Sequence, residues 1–188
     1  MFNEIVVQEE GKEILDVFGI QTQKYELGYY TTDGVESITT ICSHACKAGA
    51  KIFNCISVED VVIREGLVTG LVINWSAVGI AGLHVDPLTI ATKTIIDSTG
   101  HDMEVLKVIG RKADMTFNTK TGELIGERSL WADKAERLTL ANTKEICPNV
   151  FVAGMSANAA FGGPRMGPIF GGMLLSGKKV AEDILNLK

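Results

Sequence analysis

Three short stretches carry residue types whose spacing could do chemistry. The first is Ala81-Gly82-Leu83-His84-Val85-Asp86-Pro87, followed by His101 in Asp97-Ser98-Thr99-Gly100-His101-Asp102. His84 and Asp86 lie two apart, so an extended segment would point both to one face. An imidazole and a carboxylate with open positions make a donor set suited to Fe(II). The same residues also serve as ordinary turn and cap residues at strand ends, and both readings stand at this point. The second stretch runs from Val150-Phe151-Val152-Ala153-Gly154-Met155 to Gly162-Gly163-Pro164-Arg165-Met166-Gly167. A strand ending in glycine before a helix start offers free N–H groups and the positive end of a helix dipole to an anion. Arg165 could clamp a carboxylate or phosphate through its planar fork; close helix–strand packing with a surface arginine is the plainer alternative. The third is Cys42-Ser43-His44-Ala45-Cys46. Its thiols share a helix face at i, i+4, but that face is the apolar one, which favours buried structural cysteines. Cys55 and Cys147 read as structural too, and Phe161, Met166 and Met173 as core.

These residues need elements to hold them. Glu9 to Phe18 reads as a short amphipathic helix stopped by Gly19, and Val35 to Ala48 as a second, closed by Gly49. Thr31 to Gly34 reads as a turn and Lys51 to Ser57 as a strand. Val58 to Arg64 and Leu67 to Trp75 form a hairpin around Glu65-Gly66. Thr92 to Asp97 and Asn149 to Ala153 are short strands, and Pro168 to Leu187 is a terminal helix. The charged sequence between His101 and about Lys144 is weakly patterned. Alternation of helices and strands with one inserted hairpin predicts an α/β sheet carrying a smaller β-rich subdomain.

Composition narrows the function classes. The 188 residues suffice for one domain with a real core. Lys and Arg total 18 against 23 Asp and Glu, with no basic stripe, which disfavours nucleic acid and anionic membranes as partners. No apolar run is long enough for a membrane span, and MFNEIVVQEEGK does not read as a secretory signal. With four scattered cysteines, the expectation is a cytoplasmic chain with reduced thiols. Gly is 20 of 188, clustered late, which suggests backbone held close to a ligand. The strand–GxGxxG–helix unit, the Walker loop and the GxSxG elbow are absent from the sequence.

TIIDSTG followed by NVFVAG resembles two signatures of two-dinucleotide-binding-domain flavoproteins. More specifically, VINW, AGLHVDPLTI, IIDSTGHD, SLWADKAE and NVFVAGMSANAAFGGPRMGPIFGGMLLSGKKVAE resemble the thiazole synthases of thiamine biosynthesis. The similarity runs from about Ile5 to the C-terminus. It implies an FAD/NAD(P)-binding, Rossmann-like α/β fold with a small inserted β-rich subdomain, residues 1–188 forming a single domain. This corresponds to the C-terminal part of a thiazole synthase. The family carries a further N-terminal segment with the glycine-rich strand–turn–helix, so the chain is expected to lack a central parallel strand and half of the nucleotide cradle, leaving an open sheet edge.

The family makes an ADP-thiazole from NAD, glycine and a sulfur source, with iron. The resemblance places the iron ligands at Asp86 and His101, contributed by adjacent protomers. It places NAD-derived adenylate contacts at His84, Val85 and Asp86, at the Ser57 backbone and at Met155, and the glycine carboxylate on Arg165. Some family members have a cysteine at the position of His84 and give up its sulfur. Imidazole has none to donate, so the resemblance implies the multi-turnover subtype that takes free sulfide. His84 would then be free to act as general acid or base. A homo-oligomer, octameric in the family, with sites shared between protomers is also implied. The competing readings are an isomerase of a phosphorylated ribose (the ribose 1,5-bisphosphate type), a remnant that only binds nucleotide or a partner, and a generic flavin oxidoreductase. The last is disfavoured because Met155 stands where flavoproteins carry an acidic residue.

Overall fold

The computed structural model describes residues 3–186. It is a mixed α/β chain of three small sheets and seven α-helices among the described residues. β1 (Glu4–Gln8), β2 (Gln23–Glu26) and β3 (Tyr29–Asp33) form an antiparallel sheet in the order β1-β3-β2, with α1 (Glu9–Val17) between the first two. The predicted turn at Thr31 to Gly34 is therefore mostly strand: Thr31 and Thr32 pair with Val6 and Ile5. Asp33 ends the strand and caps α2 (Gly34–Lys47), its carboxylate accepting the Glu36 N–H at 2.8 Å. α2 has the predicted extent but hardly packs. Only Ser37 is buried, while Val35 and Ile38 lie open and Cys46 is exposed rather than in the core.

The hairpin stands as expected. β4 (Ile56–Arg64) and β5 (Leu67–Trp75) pair around Glu65 and Gly66, whose φ angles of 51° and 77° are both left-handed, as a two-residue type I′ turn requires. β6 (Leu88–Ala91) completes this second sheet after α3 (Ser76–Ile80). The predicted strand at Lys51 to Ser57 is corrected: residues 51–55 are coil and turn, Cys55 is exposed at φ 57°, and the strand begins at Ile56. Residues 51–54 have no partner strand, so their backbone has no ladder to join.

The third sheet holds β7 (Ile95–Asp97), β8 (Lys144–Cys147) and β9 (Val150–Val152) in the order β7-β9-β8. β7 and β9 are parallel, the only parallel strand pair among the described residues. The weakly patterned stretch before Lys144 contains two helices, α4 (Glu104–Lys112) and α5 (Ala132–Asn142). The glycine-rich run holds α6 (Met155–Ala160), and the terminal helix α7 spans Gly171–Asn186, with Leu187 outside the described residues. Ile95, Leu106, Ile109, Phe117, Ile146, Val150 and Val152 form the main core between this sheet, α4 and the hairpin. Among the described residues no helix is long and apolar enough to cross a membrane.

One buried carboxylate joins these parts. Asp97, at the end of β7, is fully buried. Its Oδ1 accepts the Thr99 N–H at 2.9 Å and the Thr99 hydroxyl at 2.7 Å, and lies 3.1 Å from the Ser156 hydroxyl. Its Oδ2 accepts the Leu106 N–H at 3.0 Å, in the first turn of α4. The Thr99 oxygen in turn accepts the Glu104 N–H at 2.8 Å. Thus a residue on β7 caps α4 across the chain, where a negative charge also meets the helix dipole.

Several of the glycines are required by packing. A Cβ on Gly172 would stand 2.8 Å from the Glu136 carbonyl oxygen, and one on Gly163 would stand 3.0 Å from the Asn158 amide. A Cβ on Gly11 would stand 2.7 Å from the Gly171 backbone. Gly11, Gly171 and Gly172 bring helices close together, and Gly163 lets the loop after α6 close on Asn158. Gly172→Ala should therefore cost about 1 to 3 kcal/mol. That would lower the thermal midpoint by several degrees, while Gly177→Ala, with no atom within 4 Å, should not lower it. Asp97→Asn puts an N–H donor among donors and should cost about 2 to 3 kcal/mol in urea unfolding. A loss below about 0.5 kcal/mol would contradict this account of the capping carboxylate.

Candidate functional site

β7 and β9 run in the same direction, so both deliver their C-terminal ends to one edge. β7 continues through Ser98 and Thr99 into the 3₁₀ turn Gly100–Asp102, and β9 through Ala153 and Gly154 into α6. The turn and α6 are tied together, since the Ser156 hydroxyl lies 2.9 Å from the Gly100 carbonyl oxygen. Gly154 adopts φ 61° and ψ −142°, a conformation essentially restricted to glycine. A cleft at this edge is lined by Ser98, Gly100, His101, Gly154, Met155 and Met173. Such an edge is where open α/β sheets bind ligands.

His101 forms part of this wall. Its Nδ1 is buried and lies in close contact with Glu127 Oε2, while about a quarter of the side chain stays exposed. Glu127 Oε1 accepts from Arg165 at 3.3 Å, on a guanidinium more than half exposed. One carboxylate thus joins His101 and Arg165, which lie 64 residues apart by number. The segment holding Glu127 is registered against the glycine-rich run by backbone bonds. Ile125 N–H donates to Ala160 O at 3.2 Å, Arg128 N–H to Gly163 O at 2.9 Å and Arg165 N–H to Arg128 O at 3.1 Å.

The expected anion pocket at the helix starts is largely filled from within. The Gly154 N–H donates to Ser176 Oγ at 2.7 Å, and the Gly172 N–H, at the start of α7, donates to Glu136 Oε1 at 3.1 Å. Glu136 itself supplies the negative charge there, and burial pushes its carboxyl above the usual range. Arg165 and the cleft edge are left as the places where a ligand's charge could be met.

His84, Val85 and Asp86 lie elsewhere, in the coil between α3 and β6, all exposed. Buried Asn74 on β5 holds this coil by donating its amide N–H to the Val85 carbonyl at 3.2 Å. Asn74 also faces Ser57 in the β4–β5 register, and the Ser57 hydroxyl donates to the Asn74 carbonyl at 3.3 Å. The structure therefore gathers the sequence candidates into two groups. His101, Met155 and Arg165 belong to the parallel edge, while Ser57 and His84 to Asp86 belong to the hairpin sheet. None of residues 84–86 lines the His101 cleft. Among the described residues no three His, Cys, Asp or Glu side chains converge as a metal site within one chain.

The cysteine candidates lie away from the His101 cleft lining. His44 packs edge-on against the Phe18 ring at 5.3 Å, and Cys46 faces solvent. Cys147 is buried in β8, and burial, with the nearby Glu145 charge second, pushes its thiol up to about 12. Sequence reading missed Glu127 and Asn74. Glu127 sits in a stretch without helix or strand period, so only its long-range pairing identifies it. The Asp-Ser-Thr pattern at the end of β7 did carry a readable capping signal.

The Thi4 family model matches residues 1–170. A protein of Methanothermobacter thermautotrophicus named thiamine thiazole synthase is 58% identical over 185 residues, covering 98% of this chain and 72% of the relative. A protein of the same name from Pyrococcus horikoshii is 52% identical over 184 residues, covering 98% and 71%. The crystal structure of Thermovibrio ammonificans THI4 superposes with a TM-score of 0.95 at 52% identity, covering 99% of this chain and 72% of that one. With these matches over nearly its whole length, the chain belongs to the Thi4 family.

Proposed function

We propose that this chain is a thiazole synthase of thiamine biosynthesis. It would form an ADP-thiazole from NAD, glycine and free sulfide, on an FAD/NAD(P)-binding, Rossmann-like fold. The observation that carries the reading is the parallel edge, where His101 and Arg165 are held on one carboxylate beside the cleft that Gly154 and Met155 line. The names of the relatives supply the reaction class.

Each residue has a role its chemistry fits. Arg165 offers a half-exposed fork to the glycine carboxylate; its 3.3 Å contact with Glu127 is long enough for a substrate carboxylate to displace. The edge at Ala153 to Met155, with the Ser57 backbone and the 84–86 coil, would receive the adenylate formed from NAD. His101 and Asp86 supply one imidazole and one carboxylate, a donor set that suits Fe(II). The buried Nδ1 of His101 fits this use, because it leaves the opposite nitrogen for a ligand. When bound, ferrous iron would supply a Lewis acid with open positions. Because Asp86 does not line the His101 cleft and no metal-ligand cluster forms among the described residues of one chain, the reading takes the two from neighbouring protomers of a homo-oligomer.

His84 decides the sulfur source. It is exposed on the coil beside Asp86 and holds no sulfur. Sulfide must then come from solution, and the imidazole can move protons during condensation and ring closure. Nothing in these steps consumes a side chain, which makes the proposed enzyme a multi-turnover one.

Protein purified without oxygen and supplied with Fe(II), NAD, glycine and sulfide should yield an adenylated thiazole by mass spectrometry, in molar excess over enzyme. Omitting glycine or sulfide should abolish it. A phosphorylated ribose isomerised without either would instead support the sugar-isomerase reading. His101→Ala and Asp86→Asn should each lower turnover more than about 100-fold, and His84→Asn by about 100-fold or more. Unchanged turnover in His84→Asn would remove the acid–base role.

A further inference from the structure

The assignment of Glu127 follows from what it touches. Its two carboxylate oxygens serve two different residues: Oε2 faces the buried Nδ1 of His101, and Oε1 accepts from Arg165 at 3.3 Å. Among the described residues His101 Nδ1 makes no hydrogen bond of ordinary geometry, and its close polar contact is the Glu127 carboxylate. The backbone around Glu127 is fixed by its bonds to Ala160 and Gly163, so the carboxylate is held by both chain and partners. An ionised carboxylate only accepts, so the proton shared with the ring must belong to Nδ1. A neutral imidazole protonated at Nδ1 has its free lone pair at Nε2. Arg165 supplies the counter-charge that a half-buried carboxylate needs.

We infer that Glu127 is a positioning residue. It fixes the tautomer and ring direction of His101, so that Nε2 is presented to the cleft, while Arg165 neutralises its charge from the other side. An outer carboxylate of this kind raises the basicity of a ligating imidazole and limits its rotation. Glu127 touches neither substrate nor reacting atoms in this role. The inference rests on the reading of His101 as a metal ligand, but its first consequence is observable with no metal present.

With three histidines in the chain, imidazole ¹⁵N spectra assign readily using a His101→Ala control. In the metal-free wild type, the neutral His101 ring should be protonated at Nδ1. An Nε2-protonated ring in the wild type would overturn the inference without any variant. In Glu127→Ala the ring should shift toward the Nε2-protonated form, with His44 and His84 unchanged and the thermal midpoint retained. Glu127→Gln, whose amide oxygen still accepts, should restore the wild-type form; identical spectra in wild type and Glu127→Ala would overturn the inference. Titration with Co(II) alone then tests the consequence. Glu127→Ala should weaken binding about 10- to 100-fold, and Glu127→Gln less. Affinity in Glu127→Ala within twofold of wild type, with binding lost in His101→Ala, would overturn the positioning role and leave the ligand reading standing. Wild-type affinity in His101→Ala would instead overturn the ligand reading.

Discussion

The Asp97 carboxylate is the interaction on which the rest of the site depends. Burying a charge is expensive unless hydrogen bonds replace its lost water. Asp97 recovers them from the Thr99 N–H and hydroxyl and the Leu106 N–H, with the single Ser156 hydroxyl proton shared between Asp97 and the Gly100 carbonyl. Those donors belong to the β7 exit, the first turn of α4 and the first turn of α6. Satisfying one charge therefore fixes three elements with respect to each other. The 3₁₀ turn carrying His101 spans the short gap between them, so the ring has little choice of position. His101 is thus placed by a residue four positions earlier.

A second constraint works through absent side chains. Gly171 and Gly172 admit Glu136, Gly163 admits Asn158, and Gly11 admits the start of α7. The Asn158 amide then donates to the Ala135 carbonyl at 2.9 Å and to Thr139 at 2.8 Å, which anchors α5 to α6. This packing keeps the Gly162 to Gly167 loop where its backbone can pair with residues 125–131. Arg165 and Glu127 meet as a consequence. The glycine run therefore serves the site indirectly, by setting backbone register.

This explains which features were legible in the sequence. The Glu65-Gly66 hairpin, α1, α2 and the short parallel strands carry local signals: turn residues with left-handed φ, apolar period and β-branched runs. His101, Arg165 and Asp86 were found as types in suggestive settings. The helices α4 and α5 were not, although α4 buries Val105, Leu106, Val108 and Ile109 on one clear face. Their charged residues masked the stripe, and the cap that starts α4 lies on another element. Lys51 to Ser57 failed for the opposite reason. Its local pattern favours a strand, but a strand forms only where a neighbouring backbone completes the ladder, and residues 51–54 have none. Ile52 and Phe53 consequently lie exposed beside Trp75 and Leu88. Glu127 was unreadable because its meaning arises only from two partners 26 and 38 residues away.

The division of candidates between two faces follows from the same topology. Asp86 hangs from an antiparallel sheet through Asn74, and His101 from a parallel edge through Asp97, with no bond between the two anchors. Asn74 holds the coil beside Asp86, and Asp97 holds the turn that carries His101. Under the proposed function, a cation taking both Asp86 and His101 would be served by bringing one protomer's hairpin face against another's parallel edge. The exposed Trp75, Leu83, Val85 and Leu88 surround the 84–86 coil with apolar surface, which gives such an approach a driving force that the charged groups alone do not supply. Under the proposed function, assembly would complete the site, and the rigidity of the two anchors is what makes a shared site workable.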